Sequence, residues 1–130
     1  MSKYAFGKTV NMSYEKAIEA VTQALAKEGF GVLTEIDVAA TLKKKLGIDR
    51  APYKILGACN PQFAARALEA EPQIGALLPC NVIVYEADDG KAVVAAVDPM
   101  QTMAAQQNLQ VRGVAEVVRA KLEQVLARLE

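Results

Sequence analysis

Two runs rich in β-branched residues, Cys80 to Glu86 and Lys91 to Val97, are separated only by Ala87-Asp88-Asp89-Gly90. An Asp-Gly pair tolerates the positive φ of a tight turn, so the two runs must fold back on one another as a hairpin. A hairpin commits its sheet to antiparallel pairing and steers the chain away from a repeated parallel βαβ plan.

The remaining segments fit around that hairpin. Residues 3–10 alternate, with Tyr4, Phe6, Lys8 and Val10 against Ala5, Gly7 and Thr9, and predict a first strand. Ser13 suits an N-cap for a helix whose Tyr14, Ala17, Ile18, Val21, Ala24 and Leu25 recur at helical spacing before Gly29 stops it. A second strand follows over residues 30–36. Asp37 then caps a short helix, Val38 to Leu46, that ends in three lysines and Gly47. The lysines complement the negative end of the helix dipole, which explains them better than an anion site does. Tyr53 to Cys59 is a third strand, and Asn60-Pro61 opens a helix reaching Ala70, with asparagine as cap and proline at the first helical position. Ile74 to Leu78 is an apolar connector, and Met100 to Gln107 a polar, methionine-bearing loop or irregular turn. The closing helix spans about Leu109 to Arg128, where Gly113 costs about 1 kcal/mol against alanine and marks a position for close approach by another backbone.

The order strand, helix, four strands, helix predicts an α+β fold. It has a mainly antiparallel five-stranded sheet, two long helices on one face and short inserted helices, in one domain over residues 1–130. Leu33, Leu56, Ile83 and Val94 are the candidates for the outer sheet face. They carry more aliphatic surface than a solvated face needs, which predicts a homodimer.

Several functions are disfavoured. Lysine plus arginine (15) balances aspartate plus glutamate (15), so the basic excess expected of a nucleic-acid binder is missing. No apolar run approaches the roughly 20 residues of a membrane span, and the first residues do not read as a signal peptide; the cytoplasm is the expected compartment. There is no histidine, which removes Ser-His-Asp and Cys-His nucleophile systems and most catalytic zinc sites. Neither a Gly-x-Gly-x-x-Gly nor a Walker-type phosphate loop occurs.

The two cysteines sit in phrases that echo each other, Gly57-Ala58-Cys59-Asn60-Pro61 and Leu78-Pro79-Cys80-Asn81-Val82. If strands 53–59 and 80–86 are antiparallel neighbours, a register pairing Cys59 with Cys80 also pairs Gly57 with Val82, and alternation puts both sulfurs on one face. Cys59 also precedes a helix N-terminus, which favours thiolate and makes it the more nucleophilic of the two. Readings of the pair include a redox couple, a soft-metal site for copper(I), a persulfide carrier, or two small buried apolar residues. Two sulfurs without histidine make only half a tetrahedral zinc site, so no metal is assigned.

Several of these phrases resemble one family. They are Phe30-Gly31-Val32-Leu33-Thr34-Glu35-Ile36-Asp37, Ala40 to Gly47, Tyr53 to Pro61, Ala67-Leu68-Glu69-Ala70-Glu71-Pro72, Leu78 to Val82 and Asp98-Pro99. In this order they are similar to the domain-of-unknown-function family 302 of bacteria and archaea. The resemblance implies a TATA-binding-protein-like fold, β-α-β(4)-α with short extra helices, usually met as a homodimer. It implies no activity, substrate or cofactor, and no catalytic residue is carried over. A fold name does not bring DNA binding with it.

Three functions stay open. The first is a binding or sensor domain for a small molecule or thiol-reactive species, centred on Cys59, Asn60, Cys80 and Asn81. The second is a cysteine-dependent redox or sulfur-handling enzyme with Glu35, Asp37 or Lys54 as acid–base partner. The third is a structural dimeric module whose cysteines are core.

Overall fold

In the computed structural model, which describes residues 2–103 and 108–130, the Asp-Gly turn closes as its residues demand. Gly90 has φ 79°, its amide donates to Ala87, and the Ala87 amide donates to the Lys91 carbonyl at 2.8 Å. Strands β4 (Cys80–Glu86) and β5 (Ala92–Val97) therefore pair antiparallel with Glu86 opposite Ala92. The other strands are β1 (Ala5–Val10), β2 (Gly31–Asp37) and β3 (Tyr53–Cys59), and the sheet order is β1-β5-β4-β3-β2, antiparallel throughout. This is the expected α+β architecture.

The helices begin and end where local chemistry allows. Helix α1 (Tyr14–Lys27) starts at Ser13, whose hydroxyl accepts from the Lys16 amide, and the chain leaves it through Gly29 at φ 86°. Asp37 ends β2 and caps α2 (Val38–Leu46) in one residue, accepting from the Ala40 amide at 2.9 Å. Helix α3 (Pro61–Ala70) follows β3, and α5 (Leu109–Ala127) closes the chain behind an Asn108 cap that accepts from the amides of Gln110 and Val111. Two segments differ from expectation. Pro72–Leu77 is a six-residue 3-10 helix where only an apolar connector, Ile74 to Leu78, was expected, and Pro99–Thr102 forms a short helix, α4, because the buried Asp98 carboxylate accepts from the Met100 amide. The end of the predicted 100–107 loop, residues 104–107, lies outside the described residues.

Both long helices cover one face of the sheet. Leu56, Val82, Val84 and Val94 point at Val21, Leu25, Val111, Leu122 and Val125, and all are buried in one core. Each such aliphatic side chain contributes about 1.5–3 kcal/mol by leaving water. The outer face differs from expectation: Leu56 and Val94 belong to this core, whereas Leu33 is 67 % exposed and Ile83 half-buried. Ile55-Leu56 and Val93-Val94-Ala95 are unbroken apolar pairs and triples, in which alternation is invisible and parity cannot be read. Leu33 stands out because β2 bulges between Val32 and Thr34, leaving it unpaired. Among the described residues outside its own turn of helix, Gly113 meets no atom within 4 Å of where a Cβ would stand, so the close backbone approach expected there is not made by them.

Candidate functional site

Antiparallel pairing brings the end of β3 beside the start of β4, and thus Cys59 close to Cys80 across the sheet. The two residues border a single small cavity with Phe30, Phe63, Met103 and Val118, delivered by the start of β2, α3, the end of α4 and α5. Its volume is about 20 Å³, room for about one water-sized guest. Cys59 is half-buried, Cys80 is 7 % exposed and Met103 2 %; neither cysteine is in a disulfide. Burial pushes the Cys80 thiol up to about 11, with the proximity of Cys59 adding to the shift, so Cys80 is held protonated at neutral pH.

The register that makes this pairing is one residue from the predicted one. Cys80 lies opposite Ala58, Asn81 opposite Gly57 and Val82 opposite Leu56. The reason is burial. This alignment sets Leu56 and Ala58 on the same face as Cys80, Val82 and Val84, all buried, whereas the predicted one would oppose Ala58 to exposed Asn81. On the other face it stacks the rings of Tyr53 and Tyr85 at 5.3 Å and packs Pro79 over Gly57. Alternation therefore sets Cys59 on the face of Gly57 and Asn81, opposite the face of Cys80. Cys59 borders the cavity as the last residue of β3, next to the turn into α3.

The other predicted residues separate. Asn60 borders the same cavity, but its side chain does not cap α3; it donates to the Glu28 carbonyl at 3.2 Å and ties the α3 start to the α1–β2 turn. Asn81 is exposed on the face away from the helices, opposite Gly57. Lys54 pairs with Val84 and Asp37 at the far end of β3, five residues or about 16 Å of strand from Cys59. Glu35 pairs with Leu56 on the edge strand, four positions along β2 from Gly31, the partner of Cys59. Neither Glu35, Asp37 nor Lys54 lines the cavity. Met103, Phe30 and Phe63 were missed as site residues. The available signal for Met103 was Asp98-Pro99, a cap-and-proline start of the short helix that carries it.

Among the described residues no group of three or more His, Cys, Asp or Glu converges, and no helix is long and apolar enough to cross a membrane.

The fold and this site define an α+β domain with an open antiparallel sheet and a small cavity, bordered by both cysteine residues, under its helical layer. The chain belongs to the family described as "Domain of unknown function DUF302", whose model matches residues 6–129. It is also similar to the crystal structure of an uncharacterised conserved DUF302 protein from Bacillus stearothermophilus. The TM-score is 0.91 at 29 % sequence identity, over 99 % of this chain and 100 % of that one. No curated protein matches it.

Proposed function

We propose that the protein is a binding or sensor domain for a small thiol-reactive species, with Cys59 as the accessible sulfur and Cys80 as its buried neighbour. The observation that carries this reading is the shared cavity: two unbridged cysteine residues border one small, partly open space beside the start of α3, whose first-turn amides favour negative charge there. The volume limits an enclosed guest to a few atoms, and anything larger attaches from the half-exposed side of Cys59. Asn60 is a positioning residue in this scheme, and Asn81, Glu35 and Lys54 have no part in it. An acid–base enzyme built on those carboxylates or Lys54 is disfavoured by their distance along the strands. Free thiols suit a reducing cytoplasm.

Pulse alkylation of the folded protein, with each cysteine quantified by peptide mass spectrometry, tests the reading. Cys59 labels rapidly and Cys80 only on unfolding; equal, slow labelling of both until the protein unfolds leaves core packing as the explanation. A native mass spectrum of protein from its own host would identify a retained adduct.

We also propose that the domain is a homodimer. Support comes from the sheet face away from the helices, where half-buried Tyr53, Ile55, Ile83 and Tyr85 adjoin Ile36, which is 49 % exposed. A second copy of the same face is the simplest cover. A sedimenting species of monomer mass at micromolar concentration would remove this claim.

A further inference from the structure

We propose that the cleft between α3 and α5 binds a small organic monocarboxylate with an apolar body, at a site separate from the cysteine residues. The cleft has a volume of about 580 Å³, within the range of small-molecule sites. Helical spacing builds its two walls. Phe63, Arg66 and Ala70 recur at i, i+3 and i+7 along α3, and Gln110, Gly113 and Val117 do so along α5. The two helices run antiparallel. At one end Asn108 donates to the Ala70 carbonyl at 3.2 Å, and at the other Lys121 Nζ lies 5.9 Å from the centre of the Phe63 ring.

Gly113 is the observation that points to a guest. A glycine inside a long helix costs stability against alanine. Yet no atom of the described residues outside its own turn of helix lies within 4 Å of where its Cβ would stand, so packing among them gives no reason for it. It borders the cleft between Gln110 and Val117, where a bare backbone lets a flat apolar body lie against the helix. Buried Val114 and Val117, which is 42 % exposed, flank that surface. Charge decides the other end of the guest. The Arg66 guanidinium stands 5.3 Å from the centre of the Phe63 ring, the same ring that Lys121 approaches. Among the described residues neither cation is in an ion pair. Two cations around one ring without an acid partner complement an anionic head. Glu69, the one carboxylate among the described residues that border the cleft, lies six residues along α3 from Phe63, about 9 Å toward the Ala70 end. It repels a second anion there, which selects a monocarboxylate over a dicarboxylate.

The test is an NMR titration of the isotope-labelled, full-length protein with naphthoate, with naphthalenemethanol as its uncharged counterpart and naphthalenedicarboxylate as its dianion. The expected result is saturable binding of naphthoate at one site, with the largest shifts on the amides of Phe63 to Ala70 and of Gly113 and its neighbours. The alcohol and the dicarboxylate bind at least about tenfold more weakly. Arg66→Gln weakens naphthoate toward the affinity of the alcohol and leaves the alcohol's own affinity unchanged. Gly113→Leu fills the floor of the cleft and abolishes binding. It replaces glycine at an exposed helical position, so it raises the melting temperature and keeps the fold. No saturable binding by wild type, shifts centred elsewhere, equal affinity for either analogue, or Gly113→Leu binding as wild type would each overturn the proposal. A drop in sedimenting mass in Gly113→Leu would also overturn it, by making the cleft an interface between protein chains.

Discussion

Raising the pH should unfold this protein in part through one atom, the sulfur of Cys80. In the unfolded chain that thiol titrates near 9.0, and in the fold burial raises it to about 11. A raised folded value means that the native state holds the proton more tightly. The associated stability is therefore fully present below pH 9 and is lost as pH climbs through 11. The slope in that window is one proton, about 1.4 kcal/mol per pH unit, so about 1.4 kcal/mol is gone by pH 10 and about 2.7 kcal/mol above pH 11. The assay is urea unfolding of metal-free, reduced protein between pH 7.5 and 10.5, for wild type and Cys80→Ala side by side. The tyrosines raised by burial, Tyr14 and Tyr53, and all the lysines are common to both proteins and cancel in the difference. Truncation to alanine costs a pH-independent offset from the lost sulfur contacts. The stability gap between the two proteins should shrink by about 1.4 kcal/mol from pH 8 to 10. A gap that stays flat would show that Cys80 is not desolvated in the native state, and its place in the buried wall of the cavity would fall with it.

Gly57→Ala should destabilise by about 1–3 kcal/mol in thermal melts, because the new methyl would stand 2.9 Å from Cγ of Pro79, a ring carbon that cannot rotate away. Asn60→Asp should lose about 1 kcal/mol in urea, as Asn60→Ala does, since aspartate caps as well as asparagine but cannot donate to the Glu28 carbonyl; an unaffected Asn60→Asp would restore the capping role. Arg119→Met should cost about 2 kcal/mol, since it strands the buried Asp98 carboxylate and removes the guanidinium 4.6 Å above the Phe6 ring. On the proposed dimer, Ile83→Lys on the sheet face away from the helices should shift the sedimenting species from dimer to monomer mass while leaving the circular dichroism spectrum intact.

How far the chain was legible depended on the distance over which each signal acts. Turn and cap chemistry is local, so Asp-Gly, Ser13, Asp37 and Asn60-Pro61 placed the hairpin and three helix starts to within a residue or so. Face assignment needs alternation, and it failed where the chain has none, at Leu56 and Val94. Register is set across strands by the burial of both partners at once. One residue of slip between β3 and β4 therefore went unseen, although it reverses which side chains share a face. Even a correct local signal can mislead about purpose. Asn60 occupies the cap position, yet its amide serves a turn 32 residues away, a partner that no local pattern announces.

The cavity shows the same hierarchy acting on function. Cys59 and Cys80 were conspicuous because cysteine is scarce in this chain, and antiparallel neighbours joined through a helix at adjacent ends bring such residues close with or without the right register. Glu35 and Lys54 were proposed on chemical type alone, and strand geometry carries both away from the sulfurs. Met103 is the converse case: an ordinary residue by type, given meaning only by packing. It comes to the cavity because the Asp98 carboxylate is fixed twice, by the Met100 amide and by Arg119 of α5, so that the turn after β5 is fastened to the helix that roofs the cavity. The lining of the cavity therefore depends on an ion pair that is no part of it. Loosening Asp98 or Arg119 should disturb Met103 before it disturbs either cysteine.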